Sequence, residues 1–410
     1  MWIVARIPTN PSFSFFYNNS MNPTKTKRIE SLDVLKGLVM IIMALDHTRD
    51  YFHYDAFFYD PADPLQTDLA LFFTRWISHF CAPAFAFLAG MSAFLVGRRK
   101  SKNELAAFLV KRGLWLVFIE FTLVCFGWRF NIHFPNISLQ VIWVLGLSMI
   151  LLAGIIYLPM RYILALSLAV IVGHNALDYL TVEDSVLWTI LHEQGGFYLT
   201  SHTYLRIVYP LIPWFAIMSL GYYFGVYYDK AYDPIKRQRL FTRIGLLGIT
   251  AFFILRFINQ YGNPKHWDHY DTFLQTMYAF LDPSKYPPSL AYTLMTLGLT
   301  FLFLGTTENL KNKVTDFFSV FGKVPFFYYI IHLYVIHFFA LLLAEITGFG
   351  WEPMILDGWI TMSEELDGYG VSLGWVYLIW IAIVFLLYPL CRRFSVYKMN
   401  HKEKWWLSYF

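Results

Sequence analysis

Runs of about 20 apolar residues, enough to cross the ~30 Å hydrocarbon core of a bilayer as a helix, recur along this sequence and constrain it more than any other feature. Ten stand out, at residues 31–51, 69–97, 108–128, 139–158, 162–179, 207–228, 244–259, 289–306, 324–346 and 374–390. The composition of the 410-residue chain agrees, with 57% hydrophobic and only 15% charged residues, against roughly 25% charged in a soluble domain. So few charges cannot cover a water-facing surface. The runs are continuous and lack the alternation of lumen-lining strands, and a backbone in lipid must satisfy its own hydrogen bonds. The expected fold is therefore all-α, a polytopic transmembrane helix bundle of about ten spans. A disordered chain, a collagen-like fibre, a disulfide-stapled secreted module and a nucleic-acid-binding domain are excluded. Cys81, Cys125 and Cys391 lie in or beside apolar runs and form no CxxC pair, so they imply neither a disulfide framework nor a zinc site.

Lys and Arg orient such a bundle, because cytoplasmic loops retain them. With alternating spans, 24 of the 32 fall on one side and seven on the other, and Lys36 lies inside the first span. Both termini are then expected in the cytoplasm. The acids distribute the opposite way, 20 of the 28 on the outer side and seven on the inner, so a cationic inner face opposes an anionic outer one. Ten of the twelve histidines also lie in outer halves of spans or in outer loops. Positive-inside sorting does not act on largely neutral histidine, and an outward-facing proton-handling site is one cause of that bias. Residues 1–27 read as a cytoplasmic extension without a signal-peptide pattern. Because Lys25, Lys27 and Arg28 already anchor the first span, Met21 is an alternative start. Residues 28–400 read as one transmembrane domain and 401–410 as a cytoplasmic tail. The longest connections, 180–206, 260–288 and 347–373, are all on the outer side, and connections of that length tend to be lids or binding loops.

The first span ends in Asp46-His47-Thr48-Arg49-Asp50, with His53 beyond it. The pairs Asp46/Asp50, Asp46/Arg49 and His47/Asp50 are spaced i+4 or i+3 and meet on adjoining faces of one turn. A carboxylate beside an imidazole fixes its tautomer and raises its basicity, as a general base or nucleophile requires. The bland account is a polar helix end snorkelling into the headgroups; against it, ionisable groups at mid-membrane cost about 2.5–3.5 kcal/mol each. In the second span Arg75 and His79 share a face, and Pro83, four residues after His79, removes the hydrogen bond that the His79 carbonyl would accept. The competing account there is a packed histidine at a proline kink. His332 and His337 sit about 140° apart around a helix, so they do not share a face, and each either lines a cavity or bonds between helices. Glu120, deep in the third span, requires a partner on another helix. No HxxxH or HExxH spacing supports a metal site, and no Walker or Rossmann glycine pattern supports nucleotide hydrolysis or dinucleotide chemistry. The inner cluster Arg98, Arg99, Lys100, Lys102, Lys111 and Arg112 serves as a topological anchor that also holds anionic membrane lipids, or receives the phosphates of a nucleotide-bearing cofactor.

Residues 28–37 (RIESLDVLKG), running through an apolar helix to Asp46-His47, resemble the opening of the bacterial relatives of heparan-α-glucosaminide N-acetyltransferase. Further stretches fit: 74–90 (TRWISHFCAPAFAFLAG), 209–225 (YPLIPWFAIMSLGYYFG), 285–298 (KYPPSLAYTLMTLG), 321–337 (FGKVPFFYYIIHLYVIH) and 405–409 (WWLSY). The resemblance implies a multi-pass acyltransferase of the bacterial inner membrane. Such an enzyme takes acetyl-CoA from the cytosol, passes the acetyl end through a channel among the helices, and delivers it to a sugar amine or hydroxyl of a glycan on the far side. It also implies a catalytic histidine near the outer ends of the first two spans. The lysosomal members carry Asn at the end of the first span and the histidine about eleven residues later; here those places hold Asp46 and Phe57. The role then falls to His47, His53 or His79.

The expected catalytic set is His47, oriented by Asp50 or Asp46, with His79 and Arg75 polarising the thioester or positioning the acceptor. Arg98, Arg99, Lys111 and Arg112 are the expected contacts of the cofactor phosphates. The principal rival is a proton-coupled transporter or channel for a small solute, against which stand the absence of an inverted repeat and of paired broken helices. Neither the acceptor, nor N- versus O-acetylation, nor a homo-oligomeric state is encoded legibly.

Overall fold

The structure is a computed structural model that describes residues 30–180 and 182–409. The N-terminal extension, its alternative start and Arg28 of the first motif lie outside the described residues. The first helices are α1 (Glu30–Phe52), α2 (Leu69–Ser78), α3 (Cys81–Gly97), α4 (Lys102–Ile119) and α5 (Cys125–Arg129). Strand β1 (Asn136–Leu139) precedes α6 (Val141–Ile155), α7 (Met160–Gly173) and α8 (Val186–Leu191), and strands β2 (Gly195–Tyr198) and β3 (Tyr204–Ile207) follow. The remainder comprises α9 (Trp214–Phe224), α10 (Pro234–Ile258), α11 (Phe273–Leu281), α12 (Leu290–Thr307), α13 (Lys313–Lys323), α14 (Pro325–Ile346) and α15 (Leu373–Asn400).

Each apolar run falls on a helix or on two consecutive helices. Among the described residues, six helical stretches are long and apolar enough to cross a membrane: Leu69–Gly97, Met160–Tyr179, Pro234–Ile258, Leu290–Thr307, Pro325–Ile346 and Leu373–Asn400. The chain is an integral membrane protein with a helical-bundle fold. Its outer helices expose large apolar side chains, such as Leu247 and Phe257 on α10 and Trp375 and Phe385 on α15, which suits lipid and not water. Local signals start the helices where they begin. Ser101 and Glu104 cap α4 reciprocally, and Asp233 caps α10 just ahead of Pro234.

Two irregularities matter for function. The second span is interrupted between Ser78 and Cys81, where Pro83 withholds its hydrogen bond; the freed His79 carbonyl accepts instead from the Tyr292 hydroxyl of α12 at 2.6 Å. Between α4 and α5 the backbone widens into a π-helix, Glu120–Val124. This turns Glu120 toward the start of α6, where its carboxylate accepts from the backbone N–H groups of Gln140 (3.1 Å) and Trp143 (2.8 Å). The partner that Glu120 requires is thus a helix N-terminus, whose exposed donors favour an anion.

The ends of the bundle are tied separately. At the end where α1 begins, ion pairs join Glu30 to Lys311, Arg98 to Asp229, and Arg237 to Glu308. At the other end the connection 347–373 folds back over the helices. Leu356 N–H donates to the Arg129 carbonyl and Val371 N–H to that of Phe52, while Met354, Ile360, Leu366 and Tyr369 are buried. A three-stranded sheet of order β1-β3-β2 sits at this end, β1 parallel and β2 antiparallel to β3. The all-α expectation did not include it, since four-residue strands are too short for their period to register.

Helix α1 runs through the middle. Gly37 on α1 and Gly322 on α13 bring the two backbones together: a Cβ on Gly37 would stand 1.8 Å from the Phe318 carbonyl oxygen, and one on Gly322 1.8 Å from that of Asp33. This contact sets Lys36 beside Lys323.

Candidate active site

At the far end of α1, His47 Nδ1 lies 2.8 Å from Nε2 of His332 on α14. The two rings are nearly parallel (13°), and the edge of His47 meets Trp128 with ring centroids 4.7 Å apart. His332 is fully buried, and its Nδ1 lies 2.9 Å from the carbonyl oxygen of Tyr328, one turn earlier on the same helix. Trp128 in turn packs against Trp359 of the 347–373 connection at 4.8 Å. His47 is therefore flanked by Trp128 of α5, which is backed by Trp359 of the loop folded over this end.

The charged residues of the same turn form a network of their own. Asp46 pairs with Arg49 (3.0 Å) and with Arg75 of α2 (2.7 Å), and Asp50 is held by Arg49 at 2.6 Å. Asp46 and Arg49 are buried, 8% and 3% exposed. Pairing is what permits these charges to sit there, since a lone buried ion would carry a desolvation penalty of several kcal/mol. The expectation that Asp50 or Asp46 orients His47 differs from the geometry: the arginines occupy both carboxylates, and the imidazole bonds to His332.

His79 stands at the break between α2 and α3, its ring 5.6 Å from that of Tyr292. Its Nδ1 is buried with no hydrogen-bond partner. Nearby, the hydroxyls of Tyr209 and Tyr286 approach to 3.4 Å. Tyr286 precedes α12; burial pushes its phenol up, but Lys285 and Arg75 outweigh this and hold it below the usual tyrosine range. The structure thus joins Asp46, Asp50 and Arg75 through Arg49 into one network, pairs His47 with His332 instead, and leaves His79 at the helix break. His53 lies past the end of α1, where it bridges to Val371.

A cavity of about 250 Å³ opens at the opposite end of α1 and penetrates between α1, α3, α4, α6 and α14. Lys36, Arg112, Lys323 and Lys398 line it, and deeper in the walls are apolar, including Met40, Phe85, Leu88 and Leu145. Its lining reaches Met43 on α1 and Tyr329 on α14, one turn short of His47 and His332 respectively. Of the four residues expected to hold cofactor phosphates, Arg112 lines this cavity. Arg98 pairs with Asp229 at 3.1 Å, and Arg99 and Lys111 are exposed outside the lining. Lys323 and Lys398 were not singled out from the sequence. They lie on α13 and α15, more than 200 residues from Arg112, and no spacing rule links them.

The family model of the heparan-α-glucosaminide N-acetyltransferase catalytic region matches residues 28–255, more than half of the chain. The chain belongs to that family. A comparison with curated proteins finds no match. The matched segment contains α1 with its Asp46-His47 pair, the broken second span and Arg112. Helix α14, which supplies His332, lies beyond it. Family and fold together make this a transmembrane acyltransferase-like enzyme.

Proposed function

We propose that the protein moves an acetyl group from cytosolic acetyl-CoA to an amine or hydroxyl of a sugar on the outer side of the membrane, through ten spans with both termini inside. The observation that carries this reading is the cavity: four cations at its mouth, apolar walls, and a blind end one turn from two histidines. The cations suit the phosphates of CoA, and the walls suit a thin, largely uncharged arm. The rise along α1 from Lys36 to His47 is about 16 Å, a distance that an extended pantetheine arm covers. The thioester carbonyl would then stand beside His47, which acts as general base or transient acetyl carrier. Arg75 holds Asp46, and His79 with its unpartnered nitrogen positions the acceptor or polarises the carbonyl.

Purified protein in lipid should release CoA thiol from acetyl-CoA, faster with a glycan bearing a free amine or hydroxyl than without one. Binding of CoA should weaken as salt is raised, because screening acts on cation–phosphate contacts. Absence of both thiol release and CoA binding would remove the reading. Single-turnover labelling with radioactive acetyl-CoA and no acceptor separates a covalent acetyl-histidine from direct transfer.

A further inference from the structure

Three hydrogen-bonding facts at the buried end of the cavity have one joint consequence. His332 Nδ1 faces a backbone carbonyl, which can only accept, so that nitrogen carries a hydrogen. A neutral imidazole has a single N–H, and His332 Nε2 is then a lone pair. His47 Nδ1 lies 2.8 Å from that lone pair, so it carries the hydrogen of the contact. His47 Nε2 is left as a lone pair with no hydrogen-bond partner among the described residues. A histidine side chain free in water favours the opposite tautomer, with the hydrogen on Nε2, so the arrangement is imposed by the protein.

We propose that His332 is the positioning residue of the site: it holds His47 in the Nδ1–H form and thereby makes Nε2 the reacting nitrogen. The chemistry of the step rests on the acetyltransferase reading; the proton arrangement does not. The acceptor hydroxyl or amine passes its proton to His47 Nε2 while its oxygen or nitrogen bonds to the thioester carbonyl carbon. The C–S bond breaks, and the proton on Nε2 passes to the departing sulfur. The products are the acetyl ester or amide and CoA thiol. While the proton resides on Nε2, the His47 imidazolium donates a charge-assisted hydrogen bond from Nδ1 to His332, and such bonds are roughly twice as strong as neutral ones. His332 therefore does the work that a carboxylate performs in a serine hydrolase triad, without burying another charge. The carboxylates on α1 are unavailable for it, being bound to Arg49 and Arg75.

The charged and titratable groups whose fields reach His47 are Asp46 and Arg49 on α1, Lys285 ahead of α12, and His332 on α14. Among the described residues, only His332 forms a hydrogen bond to the ring. A purely structural His332 would fill space between α1 and α14 and bond to Tyr328; it would not require its second nitrogen to face another imidazole.

The test is the ¹⁵N spectrum of histidine-labelled protein in lipid nanodiscs, with His47 assigned by the signals lost in His47→Gln. The wild type should show His47 with its proton on Nδ1, and His332→Phe should return it to Nε2–H. In parallel, His332→Phe should lower kcat about 100-fold, the scale of a misaligned general base, with KM for acetyl-CoA unchanged. His332→Gln, whose side-chain oxygen can accept from Nδ1–H, should regain about tenfold of that loss. Nε2–H at His47 in the wild type overturns the proposal even if His332→Phe fails to fold. Equal losses in the Phe and Gln variants overturn it as well. If the wild type shows the expected tautomer and transfers no acetyl group, the acetyltransferase reading falls and the proton arrangement stands.

Discussion

The two ends of α1 use the same residue types for opposite purposes. At the Lys36 end, lysines and an arginine from four helices line a cavity. At the His47 end, Arg49 and Arg75 are bound to Asp46 and Asp50, and Trp128, backed by Trp359, packs against His47. Cations that line a cavity can meet the charge of a ligand. Cations locked to carboxylates set geometry, and the group left with a usable lone pair is an uncharged imidazole.

The contrast is most sharply broken at the covered end. His47→Ala should reduce turnover by ~10² to 10⁴, the usual contribution of a positioned base, while CoA binding at the other end is retained; both are measurable on one preparation. Retained acetyl transfer would show that the chemistry lies elsewhere. The contact that places Lys36 beside Lys323 is next. Gly322→Ala drives a methyl group into the Asp33 carbonyl and should cost about 1–3 kcal/mol, seen as a lower melting temperature in lipid, with CoA protecting the variant less than it protects the wild type.

A third prediction compares cations within the open end. Arg112→Ala and Lys398→Ala should each raise the Kd for CoA about tenfold, or ~1.4 kcal/mol, whereas Arg98→Ala, whose guanidinium belongs to Asp229, should change it less than about twofold. Equal effects at all three positions would make the inner charge diffuse and not a site. The smallest effect concerns the cover. Trp359→Ala removes the ring packed against Trp128, and acetyl-CoA hydrolysis without acceptor should rise several-fold as water enters. An unchanged hydrolysis rate would mean that Trp359 is not what excludes it.

What could be read in advance was local. The one-turn cluster Asp46-His47-Arg49-Asp50 has helical spacing, and the structure keeps Asp46 and Arg49 in contact as that spacing requires. Pro83 signalled an opening at His79, and there the helix breaks and Tyr292 takes the carbonyl. The separation of His332 from His337 was also legible: one meets His47, and the other lies against the carbonyl oxygens of Gly127 and Met354. By contrast, the phosphate-binding expectation followed charge density in one inner loop. It found Arg112 and missed Lys323 and Lys398, because proximity in sequence was the only measure at hand. Asp50 was matched to His47 by spacing, yet Arg49 lies next to it in the chain and a full positive charge competes better for a carboxylate than a neutral ring does.

By itself the sequence determined that lipid is the solvent, that the backbone must be helical within it, and which family the chain resembles. It also determined the contents of each helical turn, since i, i+3 and i+4 neighbours follow from helix geometry alone. Only the tertiary structure decided that His332, 285 positions along the chain, is the partner of His47, and that four cations from four helices share one cavity mouth. The reason is physical. Contacts within a helix are set by its pitch, but contacts between helices depend on which backbones can approach, as at Gly37 and Gly322, and the hydrophobic period of a membrane span does not specify which neighbour it will meet.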